Sequence, residues 1–300
     1  MQHSIIIMAA GKGSRMKSST PKVLHSLCGK PMLYYIIKEA QKLSTDIHVI
    51  LYHQAERVAN FIHSHFENIT TITQNHDQYP GTGGAVMAAK PKYDKVIVLN
   101  GDMPLVTADS IEPFLAQNAS AVLSTFVLDD PSGYGRVITQ GSEVKKVVEE
   151  KDASNDEKAV KRVNAGVYLF EKTFLERFLP KLSNNNAQNE YYITELVELA
   201  INENLHVAYV DVDENTFMGV NSKIELAISE DIKLNEIRQK WMLSGVIMRQ
   251  PATIYIEESV TFEGECELES GVVLKGETFI KESTIKAHSV IEDANIISSS

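Results

Sequence analysis

The sequence predicts an α/β protein with a parallel, doubly wound sheet, followed by a long helix and then a parallel β-helix. Three observations carry this reading. Short apolar runs alternate with helical stretches through the first half of the chain. A helical pattern opens at Ser222, whose spacing to Glu225 is that of a capping box. Beyond Ile254 the apolar period becomes six.

Taken in order, residues 4–9 form a buried strand and residues 31–43 a helix opened by proline. Residues 47–52 read as a strand, 55–65 as a helix, 95–99 and 121–128 as strands. After Leu128 turns and shorter strands take over, with strands at 144–149 and 162–170 and a polar, mobile loop at 152–161. A helix is expected at 193–202 and a strand at 207–212. The helix from Ser222 to about Leu243 carries an apolar stripe of Ile224, Ile228, Ile232, Ile237 and Trp241, which reads as packing. These signals divide the chain into residues 1–221, a linker helix over 222–250, and a repeat region over 251–300.

In that region Ile256, Phe262, Leu268, Leu274 and Ile280 recur every sixth residue, as do Ile254, Val260, Cys266 and Val272, with Thr278 next. Ile285, Ile291 and Ile297 resume the period after a one-residue slip. Such a period describes stacked coils, with Glu263, Glu265, Glu267 and Glu269 facing outward. Antiparallel strands also place apolar residues two apart, but two six-residue rows favour the coil. Repeat domains carry atypical terminal repeats. None precedes Ser300, so a longer parent chain is expected.

Bulk properties narrow the function. Three hundred residues, 43% apolar, suffice for more than one domain. Cys28 and Cys266 make no disulfide framework and read as small buried residues. The N-terminus lacks the charged and apolar regions of a signal peptide. No segment approaches the roughly 18–20 apolar residues of a membrane span, so a cytoplasmic protein without a membrane partner is expected. A net charge of −11 argues against a nucleic-acid partner. Yet residues 1–38 contain no acid, whereas residues 251–300 hold ten acids against three lysines. The first part is therefore expected to handle anions.

Within that acid-free part, Met8-Ala9-Ala10-Gly11-Lys12-Gly13-Ser14-Arg15-Met16 follows the first strand. It is not a dinucleotide fingerprint, because Met16 stands where the third glycine belongs, and it is not a Walker A loop. Gly11 and Gly13 let backbone N–H groups approach phosphate. Arg15 can fork two hydrogen bonds to a phosphate and Lys22 supplies a point charge. Asp102, in Asn100-Gly101-Asp102, ends another strand, and Asn221 closes Gly219-Val220-Asn221. A carboxylate and an amide oxygen suit a hard cation such as Mg²⁺, although each also reads as a turn or cap residue. The nine histidines are scattered and compose no catalytic constellation.

Together with Pro21-Lys22, the loop resembles the signature of sugar-phosphate nucleotidylyltransferases. Gly81-Thr82-Gly83, Gly101-Asp102-Met103-Pro104, Gly133-Tyr134-Gly135-Arg136, Val148-Glu149-Glu150-Lys151-Asp152, Val163-Asn164-Ala165-Gly166 and Gly219-Val220-Asn221 follow in that family's order. With the hexapeptide tail, nearly the whole chain is similar to the N-acetylglucosamine-1-phosphate uridylyltransferases. In these bifunctional enzymes a glucosamine-1-phosphate acetyltransferase follows on a left-handed β-helix. The resemblance implies a Rossmann-like nucleotidyltransferase domain joined to the first coils of that helix, and UTP and N-acetylglucosamine 1-phosphate as substrates. It implies that the backbone around Met8, Ala9, Ala10 and Gly11, with Gly81 and Thr82, cradles the uridine. Arg15 and Lys22 would hold phosphates as the catalytic residues, Asp102 and Asn221 would bind Mg²⁺, and Gly135, Glu149 and Asn164 would hold the sugar. A homotrimer assembled through the β-helix is implied as well.

Two departures stand out. The family places a uracil-reading glutamine about five residues before the Gly-Thr pair, whereas Gln74 stands seven before and Gln78 three before; Gln74 is the expected reader. Ala165 replaces a frequent threonine. The acetyltransferase histidine and coenzyme A contacts lie beyond residue 300 in the family, so that activity is not expected here. A transferase for another sugar or nucleotide and a non-catalytic regulatory homologue are the alternatives. Retention of Arg15, Lys22 and Asp102 argues against the latter.

Overall fold

The run Ile5-Ile6-Ile7 has no polar alternation, so a strand built from it needs cover on both faces. In a computed structural model of the protein, which describes residues 3–141 and 143–297, this strand is β1 (His3–Ala9) and all three isoleucines are fully buried. A short hairpin follows, β2 (Ser26–Leu27) and β3 (Lys30–Pro31). The chain then alternates through α1 (Met32–Leu43), β4 (Asp46–Leu51), α2 (Ala55–His65), β5 (Ile69–Thr73), α3 (Gly81–Met87) and β6 (Lys95–Asn100). Next come α4 (Ala108–Leu115), β7 (Ala121–Val127) and a second hairpin of β8 (Arg136–Gln140) and β9 (Glu143–Val148). The series closes with α5 (Asn155–Lys158), β10 (Arg162–Glu171), α6 (Lys172–Phe178), α7 (Glu195–Asn202) and β11 (Val207–Asp211).

One nine-stranded sheet runs β11-β7-β10-β6-β1-β4-β5, with β8 and β9 attached beside β10. The sheet is wound on both faces. Ile5 and Ile7 share one core with Leu33, Ile36 and Ile37 of α1, Val58 and Ile62 of α2, and Ile111 and Phe114 of α4. Ile6 belongs to the other, with Ala85 and Val86 of α3, Phe174 and Phe178 of α6, and Leu196 and Val197 of α7. Each such side chain contributes about 1.5–3 kcal/mol on burial.

The sheet departs from the fully parallel one expected. Strand β1 is parallel to β4 and β6, but β10 is antiparallel to both β6 and β7. Parallel neighbours need a long crossover, usually a helix. Between β7 and β10 the chain has only the β8–β9 hairpin and the single turn α5. That turn also corrects the loop expected at 152–161: Ser154 and Glu157 form a reciprocal capping box, and Glu157 pairs with Lys146.

A second compact unit combines His25–Met32 with the chain from Val220 onward. Helix α8 (Lys223–Leu243) begins with the expected capping box at Ser222 and Glu225. Its buried face differs from the predicted stripe. Leu234 and Ile237 are buried and Trp241 packs beside them, whereas Ile224 and Ile228 are exposed. Four-residue steps overshoot a 3.6-residue turn, so a row built on them drifts off the core face.

Three sheets of three short parallel strands follow, the arrangement at the start of a left-handed parallel β-helix. Ile256 registers with Leu274 and Leu274 with Ile291; Leu268 registers with Ile285. Ile254, Val260, Cys266, Val272 and Thr278 are buried as the period requires, and Glu263, Glu267 and Glu269 pair outward with Lys281, Arg249 and Lys286. The predicted row fails at Ile297, which is exposed. Ile296 registers with Ile280 instead, so the coil has shortened again. Ser300 lies outside the described residues.

The β2–β3 hairpin closes the lower end of this coil. Cys28 is fully buried in the β-helix core and its carbonyl accepts from the Glu258 amide at 2.9 Å. Its own amide donates to Glu230 Oε1 at 3.1 Å. Burial, reinforced by Glu230, pushes the Cys28 thiol up to about 12, so it packs rather than reacts. Gly29 turns the hairpin at φ +84°, where a Cβ would lie 2.6 Å from the Glu257 carboxyl carbon. Gly29→Ala is therefore expected to destabilise this unit by about 1–3 kcal/mol in denaturant unfolding. An unchanged midpoint would contradict the cap.

Candidate active site

Ligands of open α/β sheets bind beyond the carboxyl ends of the strands. Here β1 delivers Ala10 and Gly11 to that edge, and β6 delivers Gly101 and Asp102. Met8 registers with Asn100, and the Gly101 amide donates to the Met8 carbonyl at 2.9 Å. A Cβ on Gly101 would come within 3.2 Å of Ala9 Cβ and the Met8 carbonyl oxygen, so glycine lets the two loops leave side by side.

Between them opens a cavity of about 380 Å³. Met8, Ala9, Ala10, Gly11, Lys22, Gln74, Gly81, Thr82 and Asp102 line it, all singled out in the sequence. Lys22 Nζ contacts Asp102 Oδ2 on the wall, and both side chains are largely buried. Gly13, at φ +60°, is where the loop turns: a Cβ there would lie 2.7 Å from Lys22 Cβ. Met16, in the place of a third glycine, is buried and anchors the loop in the core. A Cβ on Gly11 would meet no protein atom within 4 Å, so packing does not demand this glycine.

Gln74 is buried, and its Nε2 donates to the Tyr79 carbonyl at 2.8 Å and the Gly81 carbonyl at 2.9 Å. Two carbonyl partners fix the amide, because the flipped group would set oxygen against oxygen. Both N–H donors are thus engaged and Oε1 is the acceptor that remains. Gln78 is exposed, holds Asn75 and the Tyr79 hydroxyl, and does not line the cavity. Gly81 has φ +91°, and a Cβ there would lie 2.7 Å from the Tyr191 carbonyl oxygen. The Gly83 amide donates to that carbonyl at 2.7 Å, and Thr82 Oγ1 accepts from the Ile193 amide at 3.0 Å.

A second cluster joins Gly135, Glu149 and Asn164. The Asn164 amide donates to the Gly135 carbonyl at 2.8 Å, and a Cβ on Gly135 would lie 3.4 Å from Glu149 Oε2. Asn164 Nδ2 donates to the Tyr168 hydroxyl at 2.5 Å, and Thr194 Oγ1 donates to Glu149 Oε1 at 2.9 Å. The segment around residues 190–194 links both regions, because Glu190 lines the cavity and Thr194 holds Glu149.

The structure does not bring every expected residue to the cavity. Arg15 is exposed and outside the lining. Asn221 belongs to the second unit, where its amide donates to Glu225 Oε2 at 2.7 Å.

Comparison with known proteins decides the family. Residues 5–165 match the MobA-like NTP transferase domain. The chain is 54% identical over 296 residues to the "Bifunctional protein GlmU" of Nitratiruptor sp., covering 99% of this chain and 69% of that protein. The protein of the same name from Aliarcobacter butzleri is 57% identical over 291 residues, 97% of this chain and 67% of its own length. The chain belongs to the GlmU family.

It is accordingly a nucleotidyltransferase acting on a nucleotide and a sugar 1-phosphate. The fold agrees with more distant structures. The inositol-1-phosphate CTP transferase from T. maritima superposes with a TM-score of 0.59 at 14% identity, covering 77% of this chain and 96% of that one. A putative glucose-1-phosphate thymidylyltransferase from Bacillus anthracis gives 0.57 at 18% identity, with 77% and 94% covered.

For this GlmU-family chain, sequence reasoning missed Lys12, His76, Asn100 and Glu190, all of which line the cavity. Lys12 had a signal, a basic residue between the two loop glycines. His76, one of nine scattered histidines, stacks on Tyr52, with centroids 4.1 Å apart, and its backbone amide donates to the Gln74 carbonyl at 2.9 Å.

Burial, aided by the charges of Asp152 and Glu190, pushes the Glu149 carboxyl above the usual glutamate range. A folded-state value above the unfolded one means the folded state holds the proton more tightly. Stability is therefore lost as pH rises from the ordinary glutamate range through the raised value. Glu149→Gln should unfold at a higher temperature than the parent near pH 7 and at a similar one near pH 4. An equal or lower unfolding temperature at pH 7 would contradict this.

Proposed function

We propose that the protein transfers UMP from UTP to N-acetylglucosamine 1-phosphate, with Mg²⁺, giving UDP-N-acetylglucosamine and pyrophosphate. The observation that carries the reading is the cavity in which Gln74, Gly81, Lys22 and Asp102 meet the Met8–Gly11 backbone. The Gln74 oxygen suits the N3–H of uracil. The unobstructed Gly11 leaves room for a phosphate against the backbone. An anionic ligand competes with Asp102 for the Lys22 ammonium.

The sugar phosphate oxygen attacks the α-phosphorus of UTP; a P–O bond forms there as the bond to pyrophosphate breaks. The nucleophile is already ionised near pH 7, so no general base is required. Catalysis is positioning and charge neutralisation, consistent with a cavity whose charged residues are Lys12, Lys22, Asp102 and Glu190. The Asp102 carboxylate is on the cavity wall, and it and the Asn221 amide oxygen are hard donors of the kind Mg²⁺ takes. Held at the Asp102 carboxylate, Mg²⁺ would neutralise phosphate charge. Gly135, Glu149 and Asn164 would hold the sugar hydroxyls and acetamido group. Arg15 would add its guanidinium to the phosphates from the exposed turn of the loop.

Pyrophosphate release across the four nucleoside triphosphates and several sugar 1-phosphates tests the reaction, with UTP and N-acetylglucosamine 1-phosphate the expected pair. Arg15→Ala should lower turnover by about 10²-fold or more. A variant within about threefold of the parent would remove Arg15 from the mechanism, and preference for another pair would overturn the substrate assignment.

A further inference from the structure

Arginine is rarely buried without a reason, because its charge must be matched where water is absent. Arg136 is 2% exposed. It opens β8, directly after Gly135, and registers with Val148 on β9 and Val163 on β10. Its Nη1 donates to the Tyr134 carbonyl, and its Nη2 lies 2.7 Å from Glu150 Oε2. That contact is ionic, without the aligned geometry of a hydrogen bond, and Nε has no hydrogen-bond partner among the described residues.

A buried guanidinium held by an incompletely hydrogen-bonded ion pair is a poor source of stability, since an apolar side chain of similar volume often serves as well or better. What the pair does supply is a bridge. Tyr134 and Arg136 flank Gly135; Glu150 follows Glu149. The guanidinium therefore pins two strand ends, and between the pinned residues a Cβ added to Gly135 would stand at van der Waals distance from the Glu149 carboxylate.

We infer that Arg136, through Glu150, is a positioning residue that sets the spacing of Gly135 and Glu149 for the sugar phosphate. The inference rests on the proposed sugar site. Small displacements of positioning groups carry large kinetic costs. Arg136→Met keeps most of the volume and removes the bridge; Glu150→Gln keeps the shape and removes the charge. Both should raise KM for N-acetylglucosamine 1-phosphate about tenfold or more while KM for UTP stays within about twofold. The double variant should be no worse than the poorer single one, because one bridge is lost in each case.

The measurement is steady-state kinetics in both substrates, with thermal unfolding in parallel. If Arg136→Met does not fold, Glu150→Gln, whose carboxylate is partly exposed, carries the test alone. Unchanged KM values for both substrates would overturn the positioning role. So would a rise in both with a lowered unfolding temperature, which marks general loosening. Glu149→Gln separates the two claims. If it raises the sugar KM while Arg136→Met and Glu150→Gln do not, positioning fails and the site stands. If it leaves the sugar KM unchanged, the site itself is wrong.

Discussion

The parallel register of β1 against β6 sets where the opening loop and Asp102 meet at the cavity. Each strand ends at the same level, and the Gly101 amide ties one departing loop to the other at Met8. The residues brought together are far apart in sequence: a backbone turn, a lysine and a carboxylate. Sliding either strand by one residue would send side chains fitted to one apolar core into the other. The two apolar cores that fix the register therefore also fix the chemistry.

Charge placement follows from that geometry. The acid-free opening segment contributes Lys12 and Lys22, the loop after β6 contributes the Asp102 carboxylate in contact with Lys22, and Glu190 adds a second carboxylate. The two ammonium groups are the cavity's donors for an anion, and the carboxylate oxygens are hard donors. Glu149 sits apart, in the Gly135–Asn164 cluster, where burial makes its charge costly. A carboxylate kept under such a penalty is a common mark of a functional site. Nearby, the buried Arg136 guanidinium is matched by the partly exposed Glu150 carboxylate.

Much of this was legible in the sequence because it depends on local chemistry. Glycines with left-handed backbone, such as Gly13 and Gly81, and apolar runs that need cover on two faces signal themselves. The hexapeptide rows predicted the coil, and the capping box predicted the start of α8. What escaped depends on contacts across the chain. The antiparallel β10 follows from the absence of a crossover helix, and the hairpin at Cys28 looks like a loop until its partners Glu230 and Glu258 are seen. His76 likewise shows its place only in the fold, stacked on Tyr52 and bonded to the Gln74 carbonyl. The exposed Ile224, Ile228 and Ile297 show the limit of period counting: a periodic row marks a candidate face, and the core decides which residues occupy it.

The central claim is that one cavity at the ends of β1 and β6 takes the nucleotide while the Gly135–Glu149–Asn164 cluster takes the sugar. Determining the structure with UDP-N-acetylglucosamine bound tests it most directly. The account predicts uracil N3–H on Gln74 Oε1, phosphates beside the Gly11 backbone and Lys22, and the sugar against Glu149 and Asn164. A nucleotide seated elsewhere, or a sugar that makes no contact with Glu149 or Asn164, would contradict it.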